Sequence, residues 1–422
     1  PRQLVLGDAE VRWRELDLRH LTDSGARRRE LERSIAVDAN SRFDLTRPPL
    51  LRFLLIRSDE ETYTLLMTNH HVVLDGWSTP LLVRELLTMY IAAASGAPMA
   101  DVLPPAPSYR AFLAWLDEQN RPGGAAESAT VASPDALTVW KEALAGIDTP
   151  TRAVPTLAGI ESTESGMVSV DLPAELIARL ETTTRAAGAT TNTAVQAAWA
   201  LLLVMLTGRT DVVFGGTVSG RPPQLGGVED MVGLFINTLP VRVRLDPGER
   251  VADLLARVQA EQARLLDHQQ VGLAEIHQAV GLAELFDTLT VFESYPIDRE
   301  TLSRSLDIAG MRVLDVEGTD ATPYPLNLMV IPLHGAAGQR DTLRITVKYL
   351  ADYFAEAEAA RLLDRFVLLL RQIAELPEAR VARLQHCDHA ERSQLLPRRG
   401  ADSVPQRTMP EILSAGAAID PG

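Results

Sequence analysis

The sequence predicts a two-lobed α/β protein of mixed strand order, and three observations carry that prediction. The chain has 422 residues, 46% of them hydrophobic, which is too long for one ordinary core and apolar enough to fill two. Short apolar runs of strand length alternate along it with longer segments of helical period. Between the halves lies Asn120 to Asp135, rich in Pro, Gly, Ala and Ser and almost without large apolar side chains, the composition of a connector.

The first half opens with the apolar run Leu50 to Ile56, followed by Tyr63 to Met67. Both are bounded by polar turns and read as neighbouring strands. Thr79-Pro80 offers an N-cap and a first helical residue for a helix in which Leu81, Leu82, Leu86 and Met89 keep helical spacing. In the second half, Met167 to Leu172 reads as a strand and a helix follows Pro173. A long apolar helix then runs to Thr207 and ends at Gly208. Strand Val212 to Val218 comes next, and after it a helix with Val251, Leu254, Leu255, Val258, Leu265 and Leu266 on one face. Leu343, Ile345, Val347 and Tyr349 alternate with Arg344, Thr346 and Lys348, which marks a strand, and a final helix spans about Phe354 to Ala374. From Leu396 to Gly422 no periodic face is visible, and the segment reads as a linker or tail.

Composition narrows the function. A formal net charge of -15 argues against a nucleic-acid partner, since such proteins present a basic stripe. The single cysteine, Cys387, excludes an intrachain disulfide and a multi-thiolate metal site, and it fits a reducing cytoplasm. The longest apolar stretch, Ala194 to Leu206, is interrupted by Gln196 and falls short of the roughly 18 residues a membrane span needs. No charged and apolar leader opens the chain, which begins Pro1-Arg2-Gln3 as if cut from something longer. A cytoplasmic location is the expectation.

The stretch with chemical content is Asn69-His70-His71-Val72-Val73-Leu74-Asp75-Gly76-Trp77-Ser78, where a strand passes into a loop. Imidazole, with an ordinary pKa of about 6.5, exchanges protons near neutral pH. If the pair continues the strand, its side chains point to opposite faces, so only one of His70 and His71 faces a given cavity and the other is structural. Asp75 lies past the strand and can fold back to fix a ring or a loop. Gly76 has no Cβ, so it can take positive φ and let a substrate arm approach the backbone. A metal site fits less well, because His20, His268, His277, His334, His386 and His389 show no ligand spacing; no metal is expected.

These residues resemble the His-His-x-x-x-Asp-Gly motif of the condensation domains of nonribosomal peptide synthetases. Further matches follow in family order: Tyr109 to Trp115, Val218-Ser219-Gly220-Arg221-Pro222, Val232 to Pro240, His268-Gln269, Leu285-Phe286-Asp287 with Val291 to Pro296, and Thr322 to Leu326. The resemblance implies a chloramphenicol acetyltransferase-like pseudo-dimer, each lobe a mixed sheet with helices and a tunnel between them. It implies an N-terminal lobe over residues 1–125, an inter-lobe connector over 126–160, a C-terminal lobe over 161–390 and a linker toward an adenylation domain over 391–422. The family normally begins with a further helix and strand carrying an arginine that pairs with the motif aspartate. Nothing before Leu50 matches that segment, and Arg12 and Arg14 stand in the wrong context to replace it.

By the same resemblance, His71 faces the tunnel where two phosphopantetheine arms meet, one from an upstream donor and one from a downstream acceptor carrier protein. It would act on the acceptor amine, while Asp75 orders the site and Gly76 keeps the acceptor path open. Trp77, Ser219, Asn237 and Tyr324 are the candidate substrate-contacting residues. The arms belong to the carriers, so no cofactor is expected on the domain itself, and a monomeric domain is expected because the two lobes already form the site. The Trp77-Ser78-Thr79-Pro80 context and Val228 to Gly233 resemble the subtype that takes an L-configured donor. Rival readings are an epimerisation domain, a stand-alone acyltransferase using coenzyme A thioesters, and a degenerate module that recruits another enzyme. A heterocyclising variant is disfavoured because that subfamily replaces the paired histidines.

Overall fold

A computed structural model describes residues 6, 9–99, 102–119, 136–154, 165–293, 308–318, 322–333, 342–387, 391–393 and 407–419. The expected connector at 120–135, the motif residues 294–296 and most of the expected linker fall outside these.

The N-terminal lobe carries β1 (Arg12–Asp17), α1 (Ser24–Ala39), β2 (Leu51–Arg57), β3 (Tyr63–Asn69), α2 (Ser78–Ala94) and α3 (Tyr109–Gln119). β2 lies between a parallel β1 and an antiparallel β3. The predicted strands are β2 and β3. Burial alternates strictly along β2, and Leu54 and Ile56 pack with Leu18 from the segment after β1. The sequence pattern predicts no element before Leu50, yet β1 and α1 stand there. Neither has an apolar stripe: α1 reads SGARRRELERSIAVDA and buries only Asp38, while β1 is almost wholly exposed. α1 starts where Asp23 accepts a hydrogen bond from the Ala26 N–H at 2.6 Å, which satisfies one free donor of the first turn.

The C-terminal lobe is a six-stranded mixed sheet of order β4-β9-β8-β7-β5-β6. Its strands are β4 (Ser165–Leu172), β5 (Asp211–Val218), β6 (Asn237–Arg244), β7 (Thr288–Phe292), β8 (Leu326–Leu333) and β9 (Thr342–Leu350). Helices α5 (Ala174–Ala186), α6 (Thr191–Thr207), α7 (Val251–Leu265) and α9 (Glu356–Glu375) cover one face. The opposite face receives α4 (Ala136–Ala143) and α8 (Leu273–Val280). β5 shows how period two feeds both: Val212 and Phe214 enter the larger core, and Val213 enters the smaller one with Trp140 and Ile276. The long apolar run is α6, which buries residues all round; Thr190 caps its start by accepting from the Thr193 N–H, and Gly208 ends it at φ +70°.

α4 lies inside the connector expected at 126–160 yet packs with the C-terminal lobe, where the Trp140 indole N–H donates to the His268 carbonyl at 2.9 Å. The expected featureless tail contains α10 (Met409–Ile419). Glu411 reaches back to accept from the Thr408 N–H at 2.7 Å and Pro410 sits in the first turn, so the start signal was present without an apolar face behind it. No single helix among the described residues is long and apolar enough to cross a membrane.

Residues 219–236, between the antiparallel strands β5 and β6, leave the C-terminal sheet and cross to the other lobe. There Val228, Met231 and Phe235 form a buried cluster with Phe112 of α3, flanked by Tyr109 and Trp115. The Tyr109 hydroxyl donates to the Leu234 carbonyl at 2.5 Å, and burial followed by the Asp75 charge pushes its phenol pKa up.

Candidate active site

β3 ends at Asn69, so His70 and His71 stand in a turn and not on a strand. Turn geometry, and not strand alternation, separates their side chains. The His70 N–H donates to the Leu50 carbonyl, and its Nδ1 accepts from the Val72 N–H at 3.1 Å. Its ring meets Phe43 edge-on with centroids 6.4 Å apart. His70 is thereby held by its own turn and by Phe43. His71 is exposed on the same turn and has no hydrogen-bond partner among the described residues.

Asp75 is 2% exposed. Its Oδ1 accepts from the Ser78 N–H at 2.8 Å, and its Oδ2 accepts from the Phe235 N–H of the crossing segment at 3.0 Å. The Ser78 hydroxyl lies 2.7 Å from Asp75 Oδ1 and 2.8 Å from the Gly233 carbonyl, and it accepts from the Gly233 N–H at 3.0 Å. α2 therefore begins at Ser78, one residue before the predicted cap at Thr79. Its first N–H is satisfied by a carboxylate, which the positive end of the helix dipole also favours.

The arginine that pairs with the motif aspartate is Arg221, supplied by the crossing segment of the C-terminal lobe. The resemblance placed such an arginine in the family's opening segment; this chain provides it from Ser219-Gly220-Arg221-Pro222. Arg221 Nη2 donates to Asp75 Oδ1 at 3.4 Å and to Ser78 Oγ at 3.2 Å. Its Nη1 donates to the carbonyls of Val228 and Met231. The guanidinium lies 3.9 Å from the Phe235 ring centroid and 5.6 Å from that of Trp77. Burial pushes the Arg221 pKa below its ordinary value, with the Asp75 charge opposing.

Gly76 does not use the positive φ open to it. That freedom is used at Gly220, whose φ is +61° and where an added Cβ would stand 1.8 Å from the Phe235 carbonyl oxygen. Gly233 is constrained by space instead, since a Cβ there would stand 2.3 Å from the Tyr109 ring.

The structure joins Asp75 and Trp77 to Ser78, Arg221, Gly233 and Phe235, with His71 on the adjoining turn. Trp77 belongs to the lobe contact: its indole N–H donates to the Glu229 carbonyl at 3.0 Å. Ser219 is exposed at the end of β5. Asn237, at the start of β6, donates from Nδ2 to the carbonyls of Gln269 and Val271, both at 2.8 Å. Tyr324 stacks on Phe286 with centroids 5.9 Å apart, and burial pushes its phenol pKa up. Asn237 and Tyr324 thus have partners within the C-terminal lobe. Sequence reasoning alone gives no role to Ser78, Arg221, Gly233 or Phe235, although all stand inside the motifs quoted above. Among the described residues, no group of three or more His, Cys, Asp or Glu side chains is placed to hold a metal ion.

A second charged cluster joins α1 to β1, β2 and β3. Asp38 of α1, 2% exposed, accepts from the Thr68 hydroxyl at 2.6 Å and from Arg14 at 2.6 Å. Arg52 Nε donates to the same carboxylate at 3.1 and 3.2 Å. Desolvation raises the Asp38 pKa, but the Thr68 and Arg52 hydrogen bonds and the two arginine charges outweigh it and hold it below the usual carboxylate value.

Residues 1–396 match the family model described as Condensation domain. The chain is 33% identical over 403 residues to one of the linear gramicidin synthase proteins of Brevibacillus parabrevis, covering 94% of this chain and 5% of that protein. It superposes on the X-domain from teicoplanin biosynthesis with a TM-score of 0.74 at 26% identity, covering 89% of this chain and 82% of that one. In the complex of the X-domain and OxyB the TM-score is 0.72 at 25% identity, with 90% and 80% covered. The chain spans a tenth or less of the length of the synthases it matches at 32% to 34% identity.

Proposed function

Since the chain belongs to the Condensation domain family, we propose that it joins two carrier-bound thioesters through an amide bond. The observation that carries this reading is the pairing of an unencumbered His71 with a fully committed Asp75. One group of the motif is free to meet a substrate, and the other holds the turn in place. The acceptor α-amine attacks the donor thioester carbonyl, forming the C–N bond. His71 takes the amine proton, and the C–S bond breaks to return a thiol to the donor arm, which receives a proton in turn. General-base help of this kind is worth roughly 10² to 10⁴ in rate, and positioning two tethered reactants can contribute as much or more.

In this reading the phosphopantetheine arms come from an upstream and a downstream carrier, and an adenylation domain follows in the same polypeptide. Trp77, Asn237 and Tyr324 shape the lobes around the substrates, with Ser219 the one exposed candidate for contact. The preference for an L-configured donor rests on the Trp77 to Pro80 and Val228 to Gly233 contexts. A cytoplasmic setting rests on the lone Cys387.

A second reading has an observation of its own. Likeness to an X-domain that forms a complex with OxyB favours a recruitment module. The test is single-turnover assay of the chain with separately loaded donor and acceptor carriers. Dipeptidyl carrier supports condensation. Exchange of the α-proton of a carrier-bound residue without dipeptide supports epimerisation, and binding of another protein with neither reaction supports recruitment.

A further inference from the structure

We infer that a pocket of about 260 Å³ on the N-terminal lobe, lined by Arg12, Arg14, Ser41, Arg42, Phe43 and Arg52, binds a phosphate ester. Four guanidinium groups converge there in a chain whose net charge is -15, so the positive field is local. Arg52 forms the floor. It is 8% exposed and fixed by Asp38, by the carbonyls of Asp38 and Ser41 at 2.6 and 2.9 Å, and by the Phe43 ring, whose centroid lies 4.3 Å away. Arg14 shares the Asp38 carboxylate.

Arg12 and Arg42 have no carboxylate at ion-pair distance among the described residues, and both are exposed at the rim. Asp44, the other acid nearby, bonds the Thr46 N–H and hydroxyl and pairs with Arg47, although the Arg12 charge reaches it. Four arginines thus face two carboxylates that already have partners. Guanidinium forks suit an oxyanion that accepts from several directions, and phosphate does so with more oxygens than a carboxylate. Phe43 supplies an apolar wall, and the volume exceeds what one inorganic ion fills, so an organic ester group completes the fit. Because Phe43 also meets the His70 ring, the occupant would lie one aromatic ring from the turn that carries His71. A carrier-borne arm or a free phosphorylated metabolite could present this chemistry.

Calorimetric titration of the chain with 4′-phosphopantetheine, pantetheine and inorganic phosphate tests the assignment without requiring any amide formation. The phosphorylated probe is expected to bind and pantetheine not to. The double variant Arg12→Gln, Arg42→Gln should weaken binding at least about tenfold, the loss of one charge-assisted hydrogen bond. Its melting temperature should match the parent's, because both side chains are exposed. Removing equal charge from α9 with Arg361→Gln and Arg371→Gln, also exposed, should leave affinity unchanged. No phosphate-dependent binding, equal binding by the double variant, or inorganic phosphate binding as tightly as the ester would each overturn the proposal. Titration with holo and apo carrier identifies the source. A holo-specific loss in the double variant assigns the site to the carrier arm, and a loss confined to the free ester assigns it to a small molecule.

Discussion

The Asp75 carboxylate and the Arg221 guanidinium lie 3.4 Å apart with 0% and 4% of their side chains exposed, although 146 residues separate them in sequence. One belongs to the turn of the N-terminal lobe and the other to the segment that crosses from the C-terminal sheet. The pair therefore fastens the two lobes beside His71.

Removing the cation would leave Asp75 buried without its charge partner. Arg221→Ala is expected to cost about 3–5 kcal/mol in denaturant unfolding, the usual effect of breaking a buried pair. Arg221→Lys should recover little of it, because a single ammonium cannot serve Asp75 and the Val228 and Met231 carbonyls together. The Arg84–Asp230 pair also links the lobes, but its side chains are 52% and 60% exposed. Arg84→Ala should cost about 1 kcal/mol or less. Equal losses at the two sites would contradict the assignment.

Gly220→Ala places a Cβ against the Phe235 carbonyl and forces an alanine to positive φ. The φ strain alone is about 1–3 kcal/mol, and the clash adds to it. Gly226→Ala, in the same segment, meets nothing within 4 Å and should stay within about 0.5 kcal/mol of the parent. Thermal melting of the two variants side by side is the check.

His277 of α8 has a buried Nε2 without a hydrogen-bond partner, and its ring meets Phe286 edge-on. Burial lowers its pKa from 6.5. In the folded chain the neutral ring is favoured, so the unfolded state binds more protons between the two pKa values. Stability from this site is present above about pH 6.5 and lost as pH falls toward the folded value. His386 is lowered in the same direction by burial and then by the Arg365 charge. The melting temperature is expected to fall from about pH 7.5 to about pH 5.5, and His277→Phe should flatten part of that slope. An unchanged slope would remove His277 from the account.

Local pattern made much of the fold legible. An apolar run of strand length identified β2, strict alternation identified β9, and apolar helical spacing identified α7 and α9 to within a few residues. α1 and β1 escaped because they bury almost nothing: they bring Asp38 of α1 between Arg14 of β1 and Arg52 of β2, a charge contact that hydrophobic periodicity cannot register. The candidate site divides the same way. His70, His71 and Asp75 were visible as an unusual local cluster. That Arg221 is the partner of Asp75, and that Gly220 and not Gly76 needs the left-handed region, depends on a segment folding across from the other lobe. No spacing within either motif encodes that contact.

The most direct test of the division of labour in the motif measures single-turnover dipeptide formation and melting temperature together for His71→Ala and Asp75→Ala. The exposed His71 should leave melting nearly unchanged while slowing the reaction at least about 100-fold, whereas loss of the buried Asp75 should lower melting markedly together with the rate. A His71→Ala variant that forms dipeptide at the parent rate, or an Asp75→Ala variant that melts as the parent does, would contradict the account.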